Sequence, residues 1–246
     1  MFKKLKSLVI DELEKREIII GSIHRSDRAG MLYKAWGHVF TSHLKGDYVE
    51  FGVYQGDSLV KSYKEYTKFK KWLKGQMTSD EKWRREVAAH YINEKVKFHA
   101  LDTFAGMPEN DEGNNTFKEG TFVSDVEKVK GLCRKEGLKG DDVIFYKGLF
   151  EDTAAKLNEN LKGRKISILN VDSDLYISAK TALEVSMPYL GLGSIILFDD
   201  YNTYAASNTE GERKAFKEFQ LESEFIWEPW QAYHFAGQAF LCVDRK

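Results

Sequence analysis

The stretch from Ile166 to Asn202, ISILNVDSDLYISAKTALEVSMPYLGLGSIILFDDYN, constrains this chain more than any other. One apolar run, Ile166 to Val171, ends in Asp172-Ser173-Asp174; a second, Ser194 to Phe198, ends in Asp199-Asp200-Tyr201. Short, mainly apolar runs without strict alternation suit strands buried on both faces, and the segment between them has the length of one helix. Together they predict a strand–helix–strand unit with parallel strands. Both strands then end on the same edge of the sheet, where open α/β folds bind ligands. Asp172 and Asp199, with Asp200 beside the second, should meet in one crevice. Carboxylates brought together raise one another's pKa unless a cation neutralises them. An all-oxygen set of this kind suits a hard divalent ion such as Mg²⁺.

The rest of the chain has room for one large α/β domain. Its 246 residues carry a net charge of −1, which argues against wholesale nucleic-acid binding. The N-terminus, MFKKLKSLVIDELEKRE, lacks the apolar core of a signal peptide, and no run reaches membrane-spanning length. Cys133 and Cys242 form no metal-ligand spacing and read as free thiols, so a cytoplasmic enzyme without a membrane partner is expected. Leu5, Leu8, Val9, Leu13 and Ile20 mark an amphipathic helix, and Met31 to Phe40 a second, so residues 1–45 are expected to form a helical cover.

Tyr48 to Phe51 is a strand candidate followed by Gly52-Val53-Tyr54-Gln55-Gly56-Asp57-Ser58. The glycines let the backbone turn tightly and approach a ligand, and Asp57 or Ser58 is placed to cap the next helix. The pattern is E-x-G-x-x-x-G rather than the G-x-G-x-x-G of dinucleotide sites. Glu50 in this turn suits a ligand with a cationic amine, such as S-adenosylmethionine. Residues 60–95 interleave lysines with Tyr63, Tyr66, Phe69 and Trp72, read as a helical insert broken near 75–79. Val96 to Leu101 is the next strand, and Asp102, closing it, could accept two hydrogen bonds from a ribose diol or cap a helix. A polar loop spans 109–122, Ser124 and Glu127 form a capping-box pattern, and Val143 to Tyr146 is a strand. Phe150 behind it could stack on a purine or fill the core. Glu212 to Phe219 reads as a helix. Glu224 to Trp227 and Gln238 to Val243 read as final strands joined by a loop carrying Trp230, Tyr233 and His234. All six histidines are isolated in sequence and read as structural.

Taken together, Glu50-x-Gly52…Gly56, Asp102-Thr103-Phe104-x-Gly106-x-Pro108, Gly148-x-Phe150-x-Asp152-Thr153, Asp172-x-Asp174-Leu175-Tyr176 and Asp199-Asp200-Tyr201 resemble the macrocin O-methyltransferase (TylF-like) family. The resemblance runs from about Gly46 to Val243. It implies a Rossmann-like class I methyltransferase fold over 46–246: a mostly parallel seven-stranded sheet, helices on both faces, and an antiparallel last strand. It also implies an S-adenosylmethionine-dependent enzyme that methylates a sugar hydroxyl of a glycoside or saccharide with Mg²⁺. The cofactor would meet Glu50, Gly52, Gly56 and Ser58 at its methionine end, Asp102 and Thr103 at its ribose, and Ser124, Gly148 and Phe150 around its adenine. Asp172, Asp199 and Asp200 would hold the metal, with Asp172 also beside the donor and acting as general base. Asp174 is expected to be a structural acid at a helix start. The alternatives are a methyltransferase of catechol-like phenols, a nucleotide-dependent oxidoreductase and a non-catalytic scaffold. A homo-oligomer would form through the N-terminal and insert helices.

Overall fold

The computed structural model describes residues 25–112 and 116–246; the helix expected at 3–20 lies outside the described residues. Strands β1 (Asp47–Phe51), β2 (Phe98–Asp102), β3 (Val143–Lys147), β4 (Ile166–Val171), β5 (Ile195–Phe198), β6 (Phe225–Tyr233) and β7 (Gly237–Arg245) form one sheet in the order β3-β2-β1-β4-β5-β7-β6. Neighbouring strands from β3 through β5 are parallel, and β7 runs antiparallel between β5 and β6. Every residue of β1, β4 and β5 is buried, as strands covered on both faces must be, including the polar Asp47, Glu50, Ser167 and Asn170. The order reverses between β1 and β4, which creates the crevice that such sheets use for ligands.

Helices α1 (Arg25–Thr41), α2 (Asp57–Gln76), α3 (Lys82–Tyr91) and α4 (Val126–Lys135) contribute to an apolar layer that includes Trp36, Leu59, Ala88 and Cys133. Helices α5 (Phe150–Asn160), α6 (Tyr176–Ser186) and α7 (Gly211–Glu222) contribute to a second layer, with Leu157, Ala182 and Phe216 among its members. The two layers cover opposite faces of the sheet. The expected boundary at residue 45 is not a break in packing: Trp36 of α1 lies against Tyr48 and Phe98, and its Nε1 donates to Ser62 Oγ at 3.0 Å. Within the region read as an insert, α2 packs against α1 and the sheet, and α3 follows a break at 77–81.

Two local expectations are corrected. The segment between the last strands is not a loop; β6 runs on to Tyr233, and only His234, Phe235 and Ala236 turn the hairpin. A shift in register between Pro229 and Gln231 lets an edge strand carry a proline. The cap of α4 is Asp125, whose side chain accepts from the N–H groups of Glu127 and Lys128, while Ser124 Oγ is buried without a hydrogen-bond partner.

Candidate active site

The carboxyl ends of β1, β2, β4 and β5 open into a cleft of about 640 Å³. Gly52, Asp102, Thr103, Phe150, Asp172, Asp199 and Asp200 all line it, so most of the expected site residues share one wall. The register explains why. Gly52 N–H donates to Leu101 O at 2.9 Å, Asp172 N–H to Phe51 O at 2.8 Å, and Asp199 N–H to Val171 O at 3.1 Å. Each parallel ladder thus ends one residue before a site residue.

The turn after β1 requires glycine. Gly52 has φ +89°, and a Cβ there would stand 1.7 Å from Asp172 O. Asp102 holds the turn from the neighbouring strand. Its Oδ2 accepts from the N–H groups of Val53 (2.8 Å) and Tyr54 (2.7 Å), and Oδ1 from Phe104 N–H (2.6 Å). Three backbone donors leave about one lone pair on this carboxylate, at Oδ1, for a hydroxyl donor in the cleft. Thr103 Oγ1 donates to Gly106 O at 2.7 Å and closes the loop that follows. Phe150 packs edge-on against Phe51, with ring centroids 4.9 Å apart, and also faces the cleft.

Other expected residues stand behind the wall. Glu50 is fully buried, with its carboxyl accepting from Ser58 Oγ at 2.6 Å and from the Tyr48 hydroxyl. Burial pushes its pKa up to about 7 against these two hydrogen bonds. The expectation that Glu50 and Ser58 reach into the cleft is therefore corrected: they bond each other beneath the turn. Gly56 is the αL residue before α2, and a Cβ there would lie 2.8 Å from Val129 Cγ1, so it serves packing against α4. Gly148, at φ +147°, donates its N–H to Asp102 O at 3.1 Å and shapes the entry to α5. Ser124 is likewise absent from the cleft wall.

Asp172, Asp199 and Asp200 each offer an oxygen within 4.8 Å of the others, a spacing that three ligands of one hard cation would need. The donor set thus fits a divalent ion. Burial first, and then the charge of Asp200, raise the Asp172 pKa to about 6, against the opposing pull of Arg28. Asp174 was expected to be structural, yet it also lines the cleft, at φ +59°; burial and its neighbours Asp200 and Asp172 push its pKa well up. Below the trio, the buried Glu212 of α7 accepts from Ser173 N–H (3.4 Å) and Asp200 N–H (3.0 Å), tying both acidic turns to one helix.

Two basic residues complete the site, and sequence reasoning missed both. Arg28 of α1 reaches Asp172 Oδ2 at 3.5 Å and pairs closely with Asp199. His234, at the hairpin tip, has Nε2 2.9 Å from Asp199 Oδ1. Its Nδ1 accepts from the N–H groups of Ala236 (3.1 Å) and Gly237 (3.3 Å), so Nε2 carries the hydrogen and donates to Asp199. Neither residue has a local motif, because each reaches the trio from a distant part of the sequence.

A family model described as macrocin O-methyltransferase (TylF) matches residues 84–234. The chain belongs to this TylF family. It is 28% identical over 171 residues to 8-demethyl-8-(2,3-dimethoxy-alpha-L-rhamnosyl)-tetracenomycin-C 4'-O-methyltransferase of Streptomyces olivaceus. That alignment covers 66% of this chain and 56% of the relative, so the chain spans little more than half the length of the curated relative it matches. Among solved structures, the O-methyltransferase NovP superposes with a TM-score of 0.63 at 18% identity, covering 88% of this chain and 80% of NovP. The calicheamicin methyltransferase CalS11 gives 0.61 at 16% identity, covering 94% of this chain and 85% of CalS11. These two likenesses establish the TylF-family chain's class I methyltransferase fold. No described helix is long and apolar enough to cross a membrane.

Proposed function

We propose that this TylF-family chain is an S-adenosylmethionine-dependent O-methyltransferase whose acceptor is a sugar hydroxyl of a glycosylated small molecule, assisted by Mg²⁺. The observation that carries the reading is one cleft with two chemically distinct halves. The half formed by Gly52, Asp102, Thr103 and Phe150 suits a nucleoside ligand: a close backbone approach, a carboxylate with a site for a ribose hydroxyl and an aromatic wall. The half formed by Asp172, Asp199 and Asp200 suits a cation and the oxygens it attracts. S-adenosylmethionine supplies a methyl group already activated by its sulfonium. Mg²⁺ supplies positive charge that makes an acceptor hydroxyl more acidic. The protein's own work is then placement and proton transfer. Asp102 orients the donor, Glu50 and Ser58 hold the turn from behind, and the trio fixes the acceptor. Asp172 takes the hydroxyl proton as general base. The relative from Streptomyces olivaceus is named for methylating a rhamnosyl compound, which supports a sugar acceptor over a catechol.

The test is calorimetric titration with S-adenosylmethionine, then a methyl-transfer screen of glycosides and catechols with Mg²⁺ or excess chelator. Donor binding and metal-dependent methylation of a glycoside are expected. Transfer only to catechols would replace the acceptor class, full activity in chelator would remove the metal, and binding of NAD(P) instead of the donor would overturn the reading.

A further inference from the structure

Arg28 is delivered to the trio by a helix that is itself fixed. One turn further along α1, Met31 and Leu32 are buried in the core, and Ala35 and Trp36 follow. Its guanidinium faces Asp172 Oδ2 and Asp199 Oδ2. His234 already occupies Asp199 Oδ1, and the backbone donors at Nδ1 fix the histidine in that role. Oδ2 is thus the Asp199 oxygen left to face a cation, and Arg28 pairs with it. Among the described residues, Arg28 is also the one Lys or Arg side chain on the cleft wall.

We infer that Arg28 is a built-in counter-ion of the acidic trio that competes with the divalent cation for Asp172 and Asp199, so that the ion enters only as the guanidinium gives these oxygens up. This rests on the metal reading proposed above. Two cations at one carboxylate oxygen repel, so an ion must bind against Arg28 and more weakly than three carboxylates alone would hold it. In the ion-free protein the guanidinium relieves the crowding of the acids. The first helix thereby tunes ion affinity without being an ion ligand.

The experiment measures Mn²⁺ binding, by calorimetry and electron paramagnetic resonance, to the full chain without donor or acceptor. Wild type is compared with Arg28→Gln, Arg28→Lys and Lys34→Gln, the last lying on the same helix but bonded to Gln231. Arg28→Gln should bind Mn²⁺ about ten-fold more tightly or better, since one opposing charge is gone. Arg28→Lys should lie close to wild type, and Lys34→Gln should match it. Without ion, Arg28→Gln should melt below wild type, and saturating Mn²⁺ should close the gap. Equal or weaker binding by a folded Arg28→Gln, with wild type binding normally, overturns the competition and leaves the metal reading standing. If Arg28→Gln does not fold, Arg28→Lys binding far more weakly than wild type also overturns it, because the arginine would then be supporting the ion. No Mn²⁺ binding by any variant removes both readings together.

Discussion

The two ends of the central strands treat their carboxylates in opposite ways. At the amino end of β1, Asp47 is fully buried and fully paired. It takes Arg164 through two nitrogens, His99 Nε2 at 3.2 Å and Lys97 N–H at 2.8 Å. Burial alone would raise its pKa; Arg164, His99 and the Lys97 N–H outweigh this and hold it low. At the carboxyl end, Asp172 and Asp174 have raised pKa values, and several acids share Arg28. A carboxylate kept for stability is surrounded by donors. A cluster that raises its own members' pKa costs stability, which points to a task that needs the charge.

The sharpest way to break this comparison is to neutralise one acid at each end. Asp172→Asn should lower methyl transfer about a thousand-fold, the scale of losing a positioned base, with thermal stability unchanged or improved. Asp47→Asn should cost about 3–5 kcal/mol, the scale of breaking a buried ion pair, while the folded fraction keeps its turnover. Denaturation midpoints and rates per folded molecule read both. If Asp172→Asn destabilises as much as Asp47→Asn, the carboxyl-end acids are structural after all.

pH separates the two ends next. In the ion-free protein, Glu50 and Asp172 keep protons up to about 7 and about 6 that the unfolded chain has already released. Folded protein therefore binds more protons in this window, and stability falls as pH rises through it, by roughly a few kcal/mol in all. Asp47 has the opposite sign: its lowered pKa contributes stability above the ordinary carboxylate range that is lost as pH drops below it. Melting curves from pH 3 to 8, at about one-unit steps across these carboxylate ranges, test this. Glu50→Gln should flatten the upper limb and Asp47→Asn the lower, and an unaltered upper limb in Glu50→Gln would assign the slope elsewhere.

A smaller effect is expected at His234. It donates to Asp199 Oδ1 from the hairpin tip, so His234→Ala should weaken Mn²⁺ binding about 10–100-fold, the scale for groups that orient a ligand. His234→Gln, which can still donate from its amide, should recover part of that. Unchanged affinity in both would make the histidine a hairpin residue only.

These residues also mark what the sequence could reveal. The strands and their acidic ends were legible because fully buried parallel strands leave continuous apolar runs, and a run that stops at an aspartate announces the edge. Gly52 was legible through the turn it must make. What was not legible depends on contacts across the fold. Arg28 and His234 meet at Asp199 from opposite ends of the chain, and an isolated histidine in a hairpin has no local signature. Glu50 lies in β1 just before the turn, and the facing of its carboxyl depends on Tyr48 and Ser58 offering donors behind the cleft wall. The last hairpin was misread because Pro229 and the polar residues of β6 look like a loop, as an exposed edge strand allows.

The smallest expected effect concerns Glu212, which joins the two acidic turns from α7. Burial, and then Asp200, Asp174 and Asp172, push its pKa well above the ordinary range. Oε1 accepts the Ser173 N–H and Oε2 the Asp200 N–H, so a glutamine carbonyl can keep one of these bonds while its amide NH2, a donor, faces the other N–H. Glu212→Gln should therefore cost about 1 kcal/mol, the scale of one lost hydrogen bond. Glu212→Ala leaves two buried N–H donors unpaired and should cost about 1–3 kcal/mol. The pair is decisive because the variants differ in the acceptor they keep and agree in removing the charge. If Glu212→Gln weakens Mn²⁺ binding as strongly as Asp199→Asn, Glu212 is ionised in the working site and belongs to the charge cluster. If only Glu212→Ala is damaging, Glu212 belongs with Asp47 as a buried acid satisfied by its donors, although it sits at the opposite end of the sheet.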